Sequence, residues 1–153
     1  MLYLRMAQEA RLQLLSAYAS IEVAEHVLGE VCSSATLDGE TTYWVGMALR
    51  EALANAIKHG NKLSPDKRVH VHMLVRRGDE LRLTVEDEGD GFDPRVVPDP
   101  TAPENLLSVS GRGLLYMRKF VDKVHFSAGE RGGTRIELVK KWPRGGMHED
   151  QGS

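Results

Sequence analysis

Val69, Val71, Met73 and Val75 alternate with His70, His72 and Leu74, and Leu81, Leu83 and Val85 share the second alternating run, LRLTVED. A period of two places each apolar set on one face of a strand. Gly78-Asp79 between the runs is a turn signal, so the two strands are predicted to form an antiparallel hairpin. Elsewhere the period is helical. Ile21, Ala24, Val27, Leu28 and Val31 share a face behind Ser20, an N-cap candidate. Val45, Ala48, Leu49, Ala52 and Ala56 line a longer helix from about Thr42 to His59, with Gly60 as its stop. The intervening SSATLDGET reads as a loop. Glu9 to Ala17 is a weaker strand signal. A helix is expected from near Gly113 through LLYMRKFVDKV, and VHFSA and TRIELVK read as short strands around the turn GERGG. The segment from Pro94 to Ser110 is too long for a simple connector. The predicted architecture is an α+β two-layer sandwich, a mixed, mostly antiparallel sheet with helices on one face.

Composition narrows the function. The chain has 153 residues and a formal net charge of −2, without a basic block, which argues against a direct nucleic-acid binder. That length suits one domain, expected over residues 1–143. The tail RGGMHEDQGS, residues 144–153, has little to bury and is expected to be disordered. Cys32 is the single cysteine, so an internal disulfide and a cysteine metal cluster are both excluded. No apolar run is long enough to span a bilayer, and Arg5, Glu9 and Arg11 interrupt the first segment, a poor signal-peptide core. The expected location is the cytoplasm, away from a membrane.

Three stretches carry candidate chemistry. Glu51, Asn55 and His59 lie at i, i+4 and i+8 of the long helix, with Lys58 beside them. A carboxamide oxygen there can serve Mg²⁺, a hard cation, and a carboxylate one turn away can polarise a hydroxyl or water. Taken alone, the stretch reads more often than not as a solvated helix face. Next, VEDEGDGFDP sets Asp87 at a strand end in a D-x-G-x-G pattern with Gly89, Gly91 and then Phe92. An aspartate there can accept a hydrogen bond from an exocyclic amine such as that of adenine, while glycines let a flat ring approach the backbone. A plain tight turn is the ordinary alternative. A Ca²⁺ loop is excluded, because Gly89 and Gly91 stand where acidic ligands belong and Pro98 where the bidentate Glu belongs. Finally, Gly111-Arg112-Gly113-Leu114 precedes a helix, where free N–H groups attract phosphate and Arg112 could add a charge-assisted bond. The stretch lacks the G-K-[ST] of a Walker loop and the third glycine of a Rossmann turn. A ligand-free glycine-rich helix start remains open here.

The order of these motifs is more specific than any one of them. EALANAIKHG, DEGDGFDP and GRGLLYMRKFVDKV, followed by Gly133-Thr134 before a strand, resemble the GHKL (Bergerat-fold) ATP-binding superfamily of gyrase-type ATPases, histidine kinases and MutL. Within it they resemble most the anti-sigma-factor serine/threonine kinase branch, over roughly residues 20–140. The resemblance implies ATP and Mg²⁺ as cofactors, Glu51 as general base and Asn55 as metal ligand. It implies Asp87 on the adenine amino group, with Gly89 and Gly91 making room for the ring. The segment from Pro94 to Ser110 would be an ATP lid. Gly111, Arg112 and Gly113 would hold phosphate, and Thr134 would sit near Asp87. Lys58, His59, Phe92 and Leu114 fall inside the matching motifs. Lys58 also suits a histidine-kinase catalytic module, although no upstream helix pair carrying a phosphoacceptor histidine is evident. The implied partners are a STAS-type anti-sigma-factor antagonist, a sigma factor and a second copy of the chain. The implied reaction moves the ATP γ-phosphoryl group to a serine of the antagonist. The rival readings are an ATP-responsive binding regulator without phosphotransfer and a detached histidine-kinase-like ATPase.

Overall fold

The computed structural model describes residues 8–91 and 113–143, with backbone alone at Gly113, Leu114 and Tyr116. The elements are β1 (Glu9–Leu15), α1 (Ala19–Ser34), α2 (Gly39–Ala54), a π-helical continuation (Asn55–Gly60), β2 (Arg68–Arg76), β3 (Glu80–Glu86), α3 (Gly113–Phe120), β4 (Lys123–Ala128) and β5 (Thr134–Lys141). The five strands form one sheet in the order β1-β2-β3-β5-β4, and every pairing among them is antiparallel. α2 lies at the centre of the helical layer, packed against α1 and α3 and over β3 and β5. This is the two-layer α+β arrangement that the pattern predicts. The segment from Pro94 to Ser110 expected to be an ATP lid, Phe92, Gly111, Arg112 and the tail from residue 144 lie outside the described residues.

Alternation explains the sheet. Val69, Val71, Met73 and Val75 of β2 and Leu81, Leu83 and Val85 of β3 are buried beneath the helices. The predicted helical stripe of Val45, Ala48, Leu49, Ala52 and Ala56 is buried above them, and Leu53 and Ile57 widen it. Burial of these side chains drives the two layers together, at roughly 25 cal/mol per Å² of apolar surface.

The element ends differ from expectation for local reasons. Ser20 is not the N-cap of α1. Tyr18 holds that position without a side-chain bond, while Ser20 lies inside the first turn and its Oγ donates to Leu15 O at 2.8 Å. The expected loop SSATLDGET shrinks to four residues between Ser34 and Gly39. Thr36 takes a left-handed φ of 58° and Leu37 N donates back to Cys32 O, which closes α1. Asp38 then caps α2, accepting from Thr41 N at 2.6 Å. The hairpin turns one residue early, with Arg77 and Gly78 both at positive φ. That is the type I′ geometry whose twist matches the strands. α3 stops at Phe120 rather than continuing through VDKV. Asp122 N donates to Val139 O at 2.7 Å and Asp122 Oδ2 accepts from Lys141 N at 2.6 Å, which draws the chain into the sheet.

One buried side chain joins the helical layer to the sheet. Asn61 follows the π-helical turn and is 1% exposed. Its Nδ2 donates to Ser16 Oγ at 2.7 Å and Arg68 O at 2.9 Å, and its Oδ1 accepts from Glu88 N at 2.7 Å. Removing the carboxamide leaves several buried groups without partners, each costing about 1–3 kcal/mol. Asn61→Ala is therefore expected to lower the unfolding free energy by about 2 kcal/mol or more. Urea denaturation measures it, and an unchanged midpoint would show that water replaces the side chain at no cost.

Candidate functional site

The long helix does not remain α-helical to His59. From Asn55 it widens into a π-helical turn, marked by the bond from Asn61 N to Ala56 O at 2.8 Å. Such turns recur at functional sites, because the wider spiral re-aims the side chains that follow. The predicted polar face is accordingly split. Glu51 is half-buried, Lys58 and His59 are exposed, and Asn55 is buried at 7% exposure. Neither Asn55 Oδ1 nor Asn55 Nδ2 has a hydrogen-bond partner among the described residues. A solvated helix face does not account for that arrangement. A buried carboxamide left without partners costs about 1–3 kcal/mol per polar group, and such groups are completed by ordered water, an ion or a ligand.

Gly60 is not a left-handed helix stop. The left-handed residues are Lys62 and Leu63, two positions later. Gly60 is required because a Cβ there would overlap the carboxylate of Asp87. The same constraint governs two neighbours. A Cβ on Gly89 would overlap Gly60 O, and one on Gly133 would overlap Asp87 O. Gly91, at a φ of 108°, faces Gly132 O, from which a Cβ would stand 2.6 Å away.

Asp87 sits in this glycine cradle at 5% exposure. Its Oδ1 accepts from Gly89 N at 2.9 Å and Thr134 N at 3.1 Å, while Asp87 N donates to Thr134 O at 3.0 Å. Burial pushes the Asp87 carboxyl above the usual aspartate range, with the Glu86 charge adding to the shift and the two backbone N–H bonds opposing it. Glu88, one residue on, is held below its ordinary range, chiefly by the bond to His70 Nε2 at 2.6 Å.

The structure thus brings Asp87, Gly89, Gly91 and Thr134 together around the end of the Asn55 helix. Gly113 and Leu114 open α3. Sequence reasoning missed Gly60, whose need is a contact with a residue far along the chain, and Asn61, Glu86 and Glu88, which act by holding the cradle. The only local trace was the density of Gly, Asn and acidic residues around the two motifs.

The Asn55 carboxamide and the glycine cradle fit a magnesium nucleotide. Among the described residues no group of three or more His, Cys, Asp or Glu side chains could hold a metal. Mg²⁺ in nucleotide sites commonly takes one or two protein oxygens and completes its shell with phosphates and water.

Residues 14–140 match the family described as "Histidine kinase-like ATPase domain". The chain belongs to that family. Its class is ATP-binding and kinase-like. Among curated relatives of this ATPase-domain chain, the anti-sigma F factor of Anoxybacillus flavithermus is 33% identical over 109 residues, 69% of this chain and 71% of that protein. The anti-sigma F factor of Heyndrickxia coagulans is 35% identical over 94 residues, 59% of this chain and 63% of that protein, so the match spans less than two thirds of the latter's length. The same fold occurs in the histidine kinase domain of the Erythrobacter litoralis EL346 blue-light activated histidine kinase. That match has a TM-score of 0.54 at 22% identity and covers 76% of this chain and 60% of that one. It occurs again in a chain of the SiaB-SiaC complex of Pseudomonas aeruginosa, with a TM-score of 0.57 at 13% identity over 88% and 91% of the two chains. No helix among the described residues is long and apolar enough to cross a membrane.

The raised Asp87 pKa has a definite sign. Ionising Asp87 is harder in the fold than in the unfolded chain, so stability falls as pH rises from the unfolded value of about 3.9 through the raised folded value. Asp87→Asn removes that penalty while keeping an acceptor for Gly89 N and Thr134 N. The free variant is expected to be at least as stable as wild type at pH 7, with any gain vanishing below about pH 3.9. Its ATP affinity is expected to fall and its preference over GTP to shrink, because an amide presents donors where a carboxylate only accepts. Thermal melts at both pH values and calorimetric titration check both halves. Wild-type affinity would leave Asp87 a turn residue.

Proposed function

We propose that this chain is an ATP-dependent serine/threonine protein kinase and anti-sigma regulator of the partner-switching kind. It would bind Mg·ATP, phosphorylate a serine on a STAS-type anti-sigma-factor antagonist and engage a sigma factor, acting as a homodimer in the cytoplasm. The observation that carries this reading is the buried Asn55 carboxamide, without a partner among the described residues, one helical turn beyond Glu51. Nucleotide binding alone gives no reason for a carboxylate there; transfer to a hydroxyl does. The likeness to anti-sigma F factors supports the choice of partner.

In this mechanism Asp87 Oδ2, beside Gly60, accepts a hydrogen bond from the adenine amino group. Oδ1 is already engaged by Gly89 and Thr134. Asn55 supplies a side-chain oxygen to Mg²⁺, which when bound offsets phosphate charge. By the motif resemblance Gly111, Arg112, Gly113 and Leu114 would serve the phosphates and Phe92 the ring, while Lys58 and His59 are exposed at the end of the helix. Glu51 takes the proton of the antagonist serine as its oxygen bonds to the γ-phosphorus and the bond to the departing ADP oxygen breaks. Such transfer depends mainly on positioning and charge neutralisation.

Incubation with labelled ATP and STAS-type antagonists tests the reaction. Label on an antagonist serine is expected. ATP-sensitive binding without label would instead make the chain a binding regulator, and free phosphate alone an ATPase.

Two variants separate binding from chemistry. Asn55→Ala is expected to remove Mg²⁺-dependent ATP binding without destabilising the free protein, since the lost groups have no partners among the described residues to leave behind. Undiminished calorimetric affinity in Mg²⁺ would end the metal assignment. Glu51→Gln is expected to bind Mg·ATP normally yet transfer phosphate at least about a hundredfold more slowly, the scale of losing a general base. Unchanged transfer would make Glu51 a bystander on the helix.

A further inference from the structure

Glu86 is an unexpected residue to bury. It is the last residue of β3, and strand alternation turns it away from the helices, toward a polar groove of about 510 Å³ on the open face of the sheet. Its side chain is only 6% exposed. Buried carboxylates are retained where hydrogen bonds and charges answer them. Here both oxygens are used. Oε2 accepts from the backbone N–H groups of Glu130 and Arg131, and Oε1 lies 3.5 Å from Arg135 Nη2 and 3.7 Å from Arg131 Nη1. All of these groups belong to the β4–β5 turn or the start of β5.

That turn is the far wall of the Asp87 cradle. Gly133 packs on the Asp87 backbone, Thr134 N donates to Asp87 Oδ1, and Gly132 O faces Gly91. The turn closes on itself through Gly129 N to Gly133 O at 2.8 Å, and a Cβ on Gly129 would stand 2.5 Å from Glu86 Oε2. Two consecutive carboxylates therefore grip one turn from opposite faces of the sheet, Glu86 from the open face and Asp87 from the helix face. Glu86 is separated from the pocket by the sheet itself.

We infer that Glu86 is a positioning residue for nucleotide recognition: by clamping the β4–β5 turn from the open face, it sets where Thr134 holds Asp87. The inference rests on Asp87 being the adenine acceptor. A purely structural clamp would affect melting and leave nucleotide preference alone. A positioning clamp changes which base is preferred, because Asp87 then meets the amino group at a different place. Glu86→Gln keeps a carbonyl for the two N–H groups, and loses the ion pairs and the acceptor toward Arg135. Glu86→Ala loses both.

Mg·ADP and Mg·GDP titrations by calorimetry test this on the full chain. Val75→Ala, at the distant end of the hairpin, serves as a destabilised control. Glu86→Ala is expected to weaken ADP binding about tenfold and to shrink the ADP-over-GDP preference by a similar factor. Glu86→Gln is expected to stay within about threefold of wild type, and Val75→Ala to melt earlier with its affinities intact. Wild-type ADP affinity in Glu86→Ala, or equal losses for ADP and GDP, overturns the inference. If Glu86→Ala does not fold, Gly129→Ala, which pushes a methyl group against the same carboxylate, is expected to show the same loss of preference, and wild-type behaviour there overturns the inference. Asp87→Asn in the same titrations separates the two ideas. A weakened Asp87→Asn beside a normal Glu86→Ala removes the clamp alone, whereas a normal Asp87→Asn removes both.

Discussion

Everything at the site depends on placing one carboxylate where the backbone can surround it. Asp87 lies between the end of the central helix and the β4–β5 turn, and its Oδ1 holds two backbone N–H groups at once. The bond from Thr134 N, together with that from Asp87 N to Thr134 O, ties β3 to β5 beyond the last regular pair of the ladder, so the carboxylate also closes the sheet at this end. Burial makes its ionisation costly, and the backbone donors compensate only in part. A carboxylate kept in such a place at a cost to stability is a candidate for a functional role.

The glycines follow from that placement. Gly60, Gly89 and Gly133 come from three separate parts of the chain, and each is small because a Cβ would overlap Asp87 or the backbone of another member of the group. The π-helical turn is the second consequence. By widening the spiral after Ala54, it ends the helix with Gly60 against Asp87 and keeps Asn55 buried. Asn61 then bonds Glu88 N, so the helix end and the glycine turn are fixed to one another by a side chain as well as by packing.

Membership of the histidine kinase-like ATPase family gives this geometry its context. The fold holds the helix rigidly through its apolar stripe on β3 and β5, and the site is assembled at the end of that helix. Rigid elements place Glu51 and Asn55, whereas short turns place the groups around Asp87. The flanking carboxylates serve different ends. Glu86 holds the β4–β5 turn, while Glu88 binds His70 and Arg68 N on the neighbouring strand.

The sequence by itself determined the two layers, because alternation in β2 and β3 and the stripe on α2 are local patterns that burial enforces. It also carried Asp87 and its glycines, as a motif that repeats within a few residues, and their order along the chain carried the family. Tertiary structure decided the rest. Ser20 looked like a cap, yet Leu15 O, at the end of the preceding strand, claimed its hydroxyl. Gly60 ends the helical run as its sequence suggests, yet its lack of a side chain answers Asp87, distant in sequence. Asn55 looked solvated under a strict 3.6-residue period, yet it is buried at the switch into the wider π turn. Glu86 and Asn61 carried no local signal, because what defines each is the set of distant N–H and C=O groups that the fold delivers to it. Period and motif report what neighbouring residues require of one another; contacts between distant segments are set only once the layers close.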